Sequence, residues 1–225
     1  IKSKKILLWI IPKKLSPKYL SPEELRSAAN LKNYTKYKYL HSRSSLREVL
    51  GKLFNINPLK VPLNAEFGEI PSIPPKYGYI SLSHCDDALL IGWSKQKIGV
   101  DIEKIDRKLN SKAIVSRFFF KEEIDEINLV DDKDLINRKV IKFWVLKEAS
   151  IKFNRGNIAK DLKNWRIKLL DKYAFNKSLD SKLNVCCLQY QNYFFGIASE
   201  KILIENIQFW TVFMLPVDTF NYYFG

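Results

Sequence analysis

Three cysteines in 225 residues, two of them adjacent at Cys186 and Cys187, do not make a disulfide framework. No C-x-x-C spacing occurs, which argues against a structural zinc site. Histidine is scarcer still, with only His41 and His84. No apolar run approaches the roughly 20 residues needed to span a bilayer. The stretch from Ile6 to Ile11 is too short for a secretory signal, and no small-residue cleavage pattern follows it. It reads as a buried strand. These absences point to a reducing cytoplasm and away from a membrane.

What the chain has in excess is positive charge. Lys and Arg number 38 against 24 Asp and Glu, a net of +14. Such a surface attracts polyanions. Nucleic acid, a nucleotide-like cofactor and an acidic protein all qualify, and a Lys-, Asn- and Ile-rich composition contributes part of the excess with no partner implied. The hydrophobic fraction of 46% is ordinary for a globular core, and the length suits one domain or two small ones.

Along the chain, Lys5 to Ile11 reads as a strand stopped by Pro12. Ser21-Pro22-Glu23-Glu24 is a helix start with a capping box. A second helix is predicted over Thr35 to Phe54, with Leu46, Val49, Leu50, Leu53 and Phe54 as its apolar stripe. Lys36, Lys38, Arg43 and Arg47 also line it, and they cannot all be buried. Residues 55–78, with five prolines and two glycines, read as a structured loop region. Strands follow at Tyr79 to Ser83, Ala88 to Ser94 and Lys97 to Glu103, with Lys95-Gln96 as a connection of hairpin length. Helices are predicted over Ser111 to Phe120, Lys121 to Leu129 and Arg138 to Phe153, with a mobile polar loop over 130–137. The remainder is strand-like at Trp165 to Leu170, Val185 to Tyr190, Tyr193 to Ala198 and Ile207 to Met214. The class is α+β, helices packed on antiparallel sheets. The halves 1–98 and 99–225 share a coarse plan, although no residue-level repeat is visible.

Four side chains stand out for chemistry. Asp101 and Glu103 lie two apart in a strand, so both point to one face while Val100 and Ile102 enter the core. Glu148 and Lys152 lie four apart on a helix and are neighbours on its surface. Each alone has a bland reading, as a solvated strand charge or a helix-surface ion pair. Together, three carboxylates suit Mg²⁺, and the lysine suggests a phosphate. Gly99 allows backbone or ligand to come close. Ser81-Leu82-Ser83-His84 places a second polar cluster at a strand end, where hydroxyl and imidazole could meet a phosphate, although a satisfied, half-buried histidine is the simpler reading. Cys85 beside His84 reads as a small buried residue rather than a nucleophile, because such pairs are built in space and not by sequence adjacency. His41 reads as surface.

These motifs, Ser83-His84, Ile98-Gly-Val-Asp101-Ile-Glu103, Arg117-Phe-Phe-Phe-Lys-Glu-Glu123 and Trp144-x-x-Lys147-Glu148-Ala-x-x-Lys152, resemble in order and spacing the 4′-phosphopantetheinyl transferase superfamily. The length and the Ser-His element look like the Sfp (surfactin-synthetase-activating) type of holo-carrier-protein synthase. The resemblance spans roughly residues 20–200. It implies a monomer of two similar α+β halves related by a pseudo-twofold, with coenzyme A in the cleft between them. It further implies that Asp101, Glu103 and Glu148 hold Mg²⁺, with Mn²⁺ as the alternative. Lys152 would contact a phosphate, and Ser83, His84 and Lys38 the adenosine end. Glu123 would orient the site indirectly.

The implied reaction moves phosphopantetheine from coenzyme A to a serine of an acidic acyl or peptidyl carrier protein, releasing adenosine 3′,5′-bisphosphate. The catalytic residues would be Glu148, Lys152 and Asp101, with Glu148 as the base, directly or through a water. The net charge then serves an acidic protein, and no nucleic acid is expected. Three departures stand out. Gly68-Glu69-Ile70-Pro71 replaces the family's Gly-Lys-Pro, leaving Lys76 as a nearby substitute. Lys38, with Lys36 and Arg43 as rivals, stands for a usual arginine, and Cys85 replaces a common serine. Two rival readings are a metal-dependent nuclease, whose acids and lysine usually share adjacent strands, and a basic nucleic-acid-binding module, which lacks a fold signature here.

Overall fold

Ser21 opens the first helix as the capping box requires: its Oγ accepts from the Glu24 N–H at 3.2 Å and Glu24 Oε2 accepts from the Ser21 N–H at 2.7 Å. The computed structural model describes residues 5–64, 68–211 and 221–222. Its elements run β1 (Ile6–Pro12), α1 (Pro22–Ala29), α2 (Asn33–Phe54), β2 (Tyr79–His84), β3 (Ala88–Ser94) and β4 (Gly99–Lys104). There follow α3 (Ser111–Phe118), α4 (Lys121–Ile127), α5 (Lys133–Phe153), α6 (Ile158–Asp161), β5 (Arg166–Lys168) and β6 (Tyr173–Asn176). The last are β7 (Ser181–Tyr190), β8 (Tyr193–Ser199), β9 (Ile207–Trp210) and β10 (Asn221–Tyr222). The expected strand beyond Trp210 lies, from residue 212 to Met214, outside the described residues.

The strands form two sheets, β2-β3-β1-β9 and β4-β8-β7-β6-β5, with β10 pairing β7. All described ladders are antiparallel except β1 with β9. The class is therefore α+β, as the sequence indicates. The layers follow from alternation in β1. Leu7, Trp9 and Ile11 pack with Leu46, Val49 and Leu50 of α2. Ile6, Leu8 and Ile10 pack with Val100 and Ile102 of β4 and with Phe195 and Ile197 of β8. On the far side of the second sheet, Val185, Phe194 and Ala198 pack with Val145, Leu146 and Ala149 of α5. The stack is helix, sheet, sheet, helix, and a strand buried on both faces explains the unbroken apolar run of β1.

Several local expectations need correction. Lys95-Gln96 does not close a hairpin: β3 ladders with β1 and β2 whereas β4 ladders with β8, so these residues carry the chain from one sheet to the other. Residues 133–137 are not loop. Asp132 caps α5 by accepting from the Leu135 N–H at 2.8 Å, so the helix begins at Lys133. β6 was not expected, and β7 starts earlier than foreseen, at Ser181. His41 is buried: its ring stacks on Tyr37 and Nε2 donates to the Pro12 carbonyl at 3.2 Å. Among the described residues, no helix is long and apolar enough to cross a membrane.

Candidate functional site

Strand β4 and helix α5 meet at a backbone contact that only glycine permits. A Cβ on Gly99 would lie 1.9 Å from the Ala149 carbonyl oxygen, and one on Gly196 would lie 2.2 Å from that of Val145. With α5 seated this closely on β4 and β8, the β4 face opposite Val100 and Ile102 is turned toward Glu148 and Lys152. Asp101 and Glu103 lie on that face, as the alternation predicts.

The result is an acidic cluster. One carboxylate oxygen from each of Asp101, Glu103 and Glu148 lies within 4.8 Å of the others. Lys152 Nζ donates to Asp101 Oδ1 at 2.6 Å and to Ser83 Oγ at 2.8 Å, and lies 3.4 Å from Glu148 Oε2. Ser83 Oγ donates to Asp101 Oδ1 at 2.5 Å. Arg107 pairs with Glu103. Asp101 is 1% exposed, yet its Oδ2 has no hydrogen-bond partner.

Burial and neighbouring charge show in the acidity of these carboxyls. Burial, reinforced by the Asp101 charge, raises Glu148 to about 8 and Glu103 to about 7. Burial alone would lower the Lys152 pKa, but Asp101 and Glu148 outweigh it and raise it. A buried carboxylate oxygen without a partner is costly. An all-oxygen set of three carboxylates converging on one point, with one oxygen orphaned, fits a hard divalent cation such as Mg²⁺.

His84 stands at the end of β2 with Nδ1 buried and unpartnered, so it is not the satisfied histidine of the simpler reading. Burial, then Lys38, Lys13 and Lys152, push it down to about 3, which keeps the ring neutral. It lines an open cleft of about 560 Å³, solvent included, together with Glu103, Lys38, Lys13, Lys104 and Arg107. The cleft is thus basic along its walls and acidic where Glu103 joins the cluster. Of the helix cations, Lys38 lines this cleft, Lys36 is exposed, and Arg43 is buried over the Tyr39 ring. Lys76 and Glu69 are exposed, with Lys76 Nζ over the Tyr77 ring at 5.3 Å.

Sequence reasoning missed Lys13, Lys104 and Arg107. Arg107 follows Glu103 by four residues outside any helix, so no periodicity marks it, and Lys13 reaches the cleft only through the sheet order. Two other residues serve the fold. Glu123 accepts from Ile167 N–H at 2.6 Å and from Phe120 N–H at 2.8 Å, and pairs with Lys147 at 2.8 Å. It is therefore a buried brace apart from the acid cluster. Cys85 is buried, and burial raises its thiol to about 11, so it is no nucleophile.

The family comparison covers the segment that carries the acid cluster. Residues 97–198 match the family model of the 4′-phosphopantetheinyl transferase superfamily. The chain is 28% identical over 127 residues to the 4′-phosphopantetheinyl transferase Sfp of Bacillus subtilis (strain 168). That alignment covers 55% of this chain and 54% of the relative, so the chain spans about half the length of the relative it matches. Asp101, Glu103, Glu148 and Lys152 all fall inside the matched family segment, whereas Lys38, Ser83 and His84 precede it.

Proposed function

We propose that this protein is a divalent-cation-dependent phosphopantetheinyl transferase of the Sfp type. It would pass the phosphopantetheine of coenzyme A to a serine of an acidic carrier protein. The observation that carries this reading is the convergence of Asp101, Glu103 and Glu148 beside Lys152, joined through Glu103 to a basic cleft. The halves 1–98 and 99–225 then supply the two walls of the cleft, with β9 crossing back to pair β1, which suits a monomer.

Asp101, Glu103 and Glu148 would hold the cation, Mg²⁺ or Mn²⁺. A bound Mg²⁺ supplies charge neutralisation along the pyrophosphate. Lys38 and His84 face the 3′-phosphate end, with Lys13 and Lys104 as further cations. His84, neutral in the free protein, can meet the anion with a ring N–H. Lys152 gives up one of its present contacts to a phosphate oxygen and offsets charge on the leaving group. Glu148 takes the proton as the carrier's serine oxygen bonds to the β-phosphorus. The pyrophosphate P–O bond breaks, and adenosine 3′,5′-bisphosphate leaves with the electron pair. Burial and the Asp101 charge raise Glu148 to about 8 in the metal-free protein, so it is mostly protonated there; once that proton is displaced on cation binding, the carboxylate is free to act as the base. The net charge of +14 steers an acidic carrier toward the site.

The test is direct. The protein is incubated with coenzyme A, Mg²⁺ and an apo carrier, and the carrier is weighed. A mass gain of one phosphopantetheine is expected. No gain across several acidic carriers, with a DNA control cleaved instead, would replace this reading with the nuclease.

A further inference from the structure

Ser83 belongs to β2 and Asp101 to β4, strands of different sheets with no backbone ladder between them among the described residues. Two serines on one face of β2 bridge that gap. Ser81 Oγ accepts from the Val100 N–H at 3.0 Å, and Ser83 Oγ donates to Asp101 Oδ1 at 2.5 Å. The first sets the register of β2 against β4, and the second reaches the acid cluster.

A serine hydroxyl has a single proton to donate. That of Ser83 is committed to Asp101, and its oxygen accepts from Lys152 Nζ at 2.8 Å. What remains is a lone pair, which repels a phosphate rather than binding it. Ser83 is also 4% exposed. Asp101 Oδ1, meanwhile, takes hydrogen bonds from both Ser83 and Lys152, while Oδ2 takes none.

We propose that Ser83 is a positioning residue for the cation site rather than a contact to the phosphate end of the ligand. By holding Oδ1, it turns the free Oδ2 of Asp101 toward the point where Glu103 and Glu148 converge. By accepting from Lys152, it also keeps that ammonium on the Oδ1 side, away from the oxygen left for the cation. Carboxylates that ligate metals are commonly oriented by such outer hydrogen bonds. This inference rests on the cation-site reading above, and its test separates the two.

Mn²⁺, followed by electron paramagnetic resonance, is titrated into metal-free wild type, Ser83→Ala and Ser83→Thr. Binding of adenosine 3′,5′-bisphosphate is measured calorimetrically in the presence of a chelator. Ser83→Ala is expected to weaken Mn²⁺ binding by about 10- to 100-fold, Ser83→Thr to restore it, and bisphosphate affinity without metal to stay unchanged. Unaltered Mn²⁺ affinity in Ser83→Ala would overturn the inference, as would a loss that threonine does not restore. Loss of metal-free bisphosphate binding with Mn²⁺ affinity intact would return Ser83 to the phosphate. A wild type that binds Mn²⁺ in this Ser83-dependent way but transfers nothing to any carrier would sink the transferase reading and leave the positioning role standing.

Discussion

Helix α5 serves two buried acid–lysine clusters, and the contrast between them separates a brace from a site. At Lys147 the charges balance. Lys147 is 0% exposed, pairs with Glu123, donates to the Trp165 carbonyl, and lies over the rings of Phe119 and Phe120. Both Glu123 oxygens are occupied. At Glu148 and Lys152 the charges do not balance. Three carboxylates face Lys152 and Arg107, and Asp101 Oδ2 is orphaned. A closed pair specifies packing, whereas an excess of buried acid with a free oxygen is the arrangement that could hold a cation.

The comparison breaks most severely if the metal is removed: chelation should abolish transfer outright while leaving the Glu123–Lys147 pair untouched. Next in size, Lys147→Met strands the Glu123 carboxylate and should cost about 3–5 kcal/mol of unfolding free energy, read in urea, with Mg²⁺ affinity of the folded protein kept. Asp101→Ala should behave in the reverse way. Transfer falls by about 10²–10³-fold, while the urea midpoint changes little, because loss of the Ser83 and Lys152 contacts to Oδ1 is offset by relief of the repulsion that Asp101 exerts on Glu103 and Glu148.

A smaller effect concerns pH. In the folded, metal-free protein Glu148 and Glu103 are raised to about 8 and 7 from an ordinary value of 4.5. Between 4.5 and those values the native state therefore binds more protons than the unfolded chain. This stabilisation is complete below about 4.5 and is lost as pH rises through 7 and 8. His84, held down to about 3 from 6.5, has the opposite sign: its contribution is full above 6.5 and is lost as pH falls toward 3. Stability of the metal-free protein should thus decline from pH 6 to 9, and saturating Mg²⁺ should flatten that decline. A decline unchanged by Mg²⁺ would separate the acid cluster from cation binding. Smallest of all, Lys38→Ala should weaken coenzyme A binding about tenfold, the worth of one charge-assisted hydrogen bond, with no change in Mg²⁺ affinity.

The acid cluster was legible because its signals are local. Alternation puts Asp101 and Glu103 on one strand face, and a four-residue step puts Glu148 beside Lys152. What joins the two is tertiary: Gly99 and Gly196 let α5 touch the sheet, and glycine in a strand has many other readings. The contacts of Ser83 to Asp101 and Lys152 were illegible for the same reason, since β2 and β4 come together without a ladder. Lys95-Gln96 has the length of a hairpin, but its sheet assignment depends on which partners β3 and β4 find, and β8 lies about a hundred residues downstream of β4. His41 looked like surface because its burial comes from the chain end of β1, through the Pro12 carbonyl.

The contrast within α5 is tested most directly by titrating Mg²⁺ into the metal-free protein at pH 7 in two buffers of different ionisation enthalpy. Carboxyls held protonated by burial and by the neighbouring Asp101 charge must release protons when a cation replaces them. One Mg²⁺ per chain is predicted, with proton release, lost in Asp101→Ala and retained in Glu123→Gln. Absence of binding in the wild type, or binding that survives Asp101→Ala, would contradict the account.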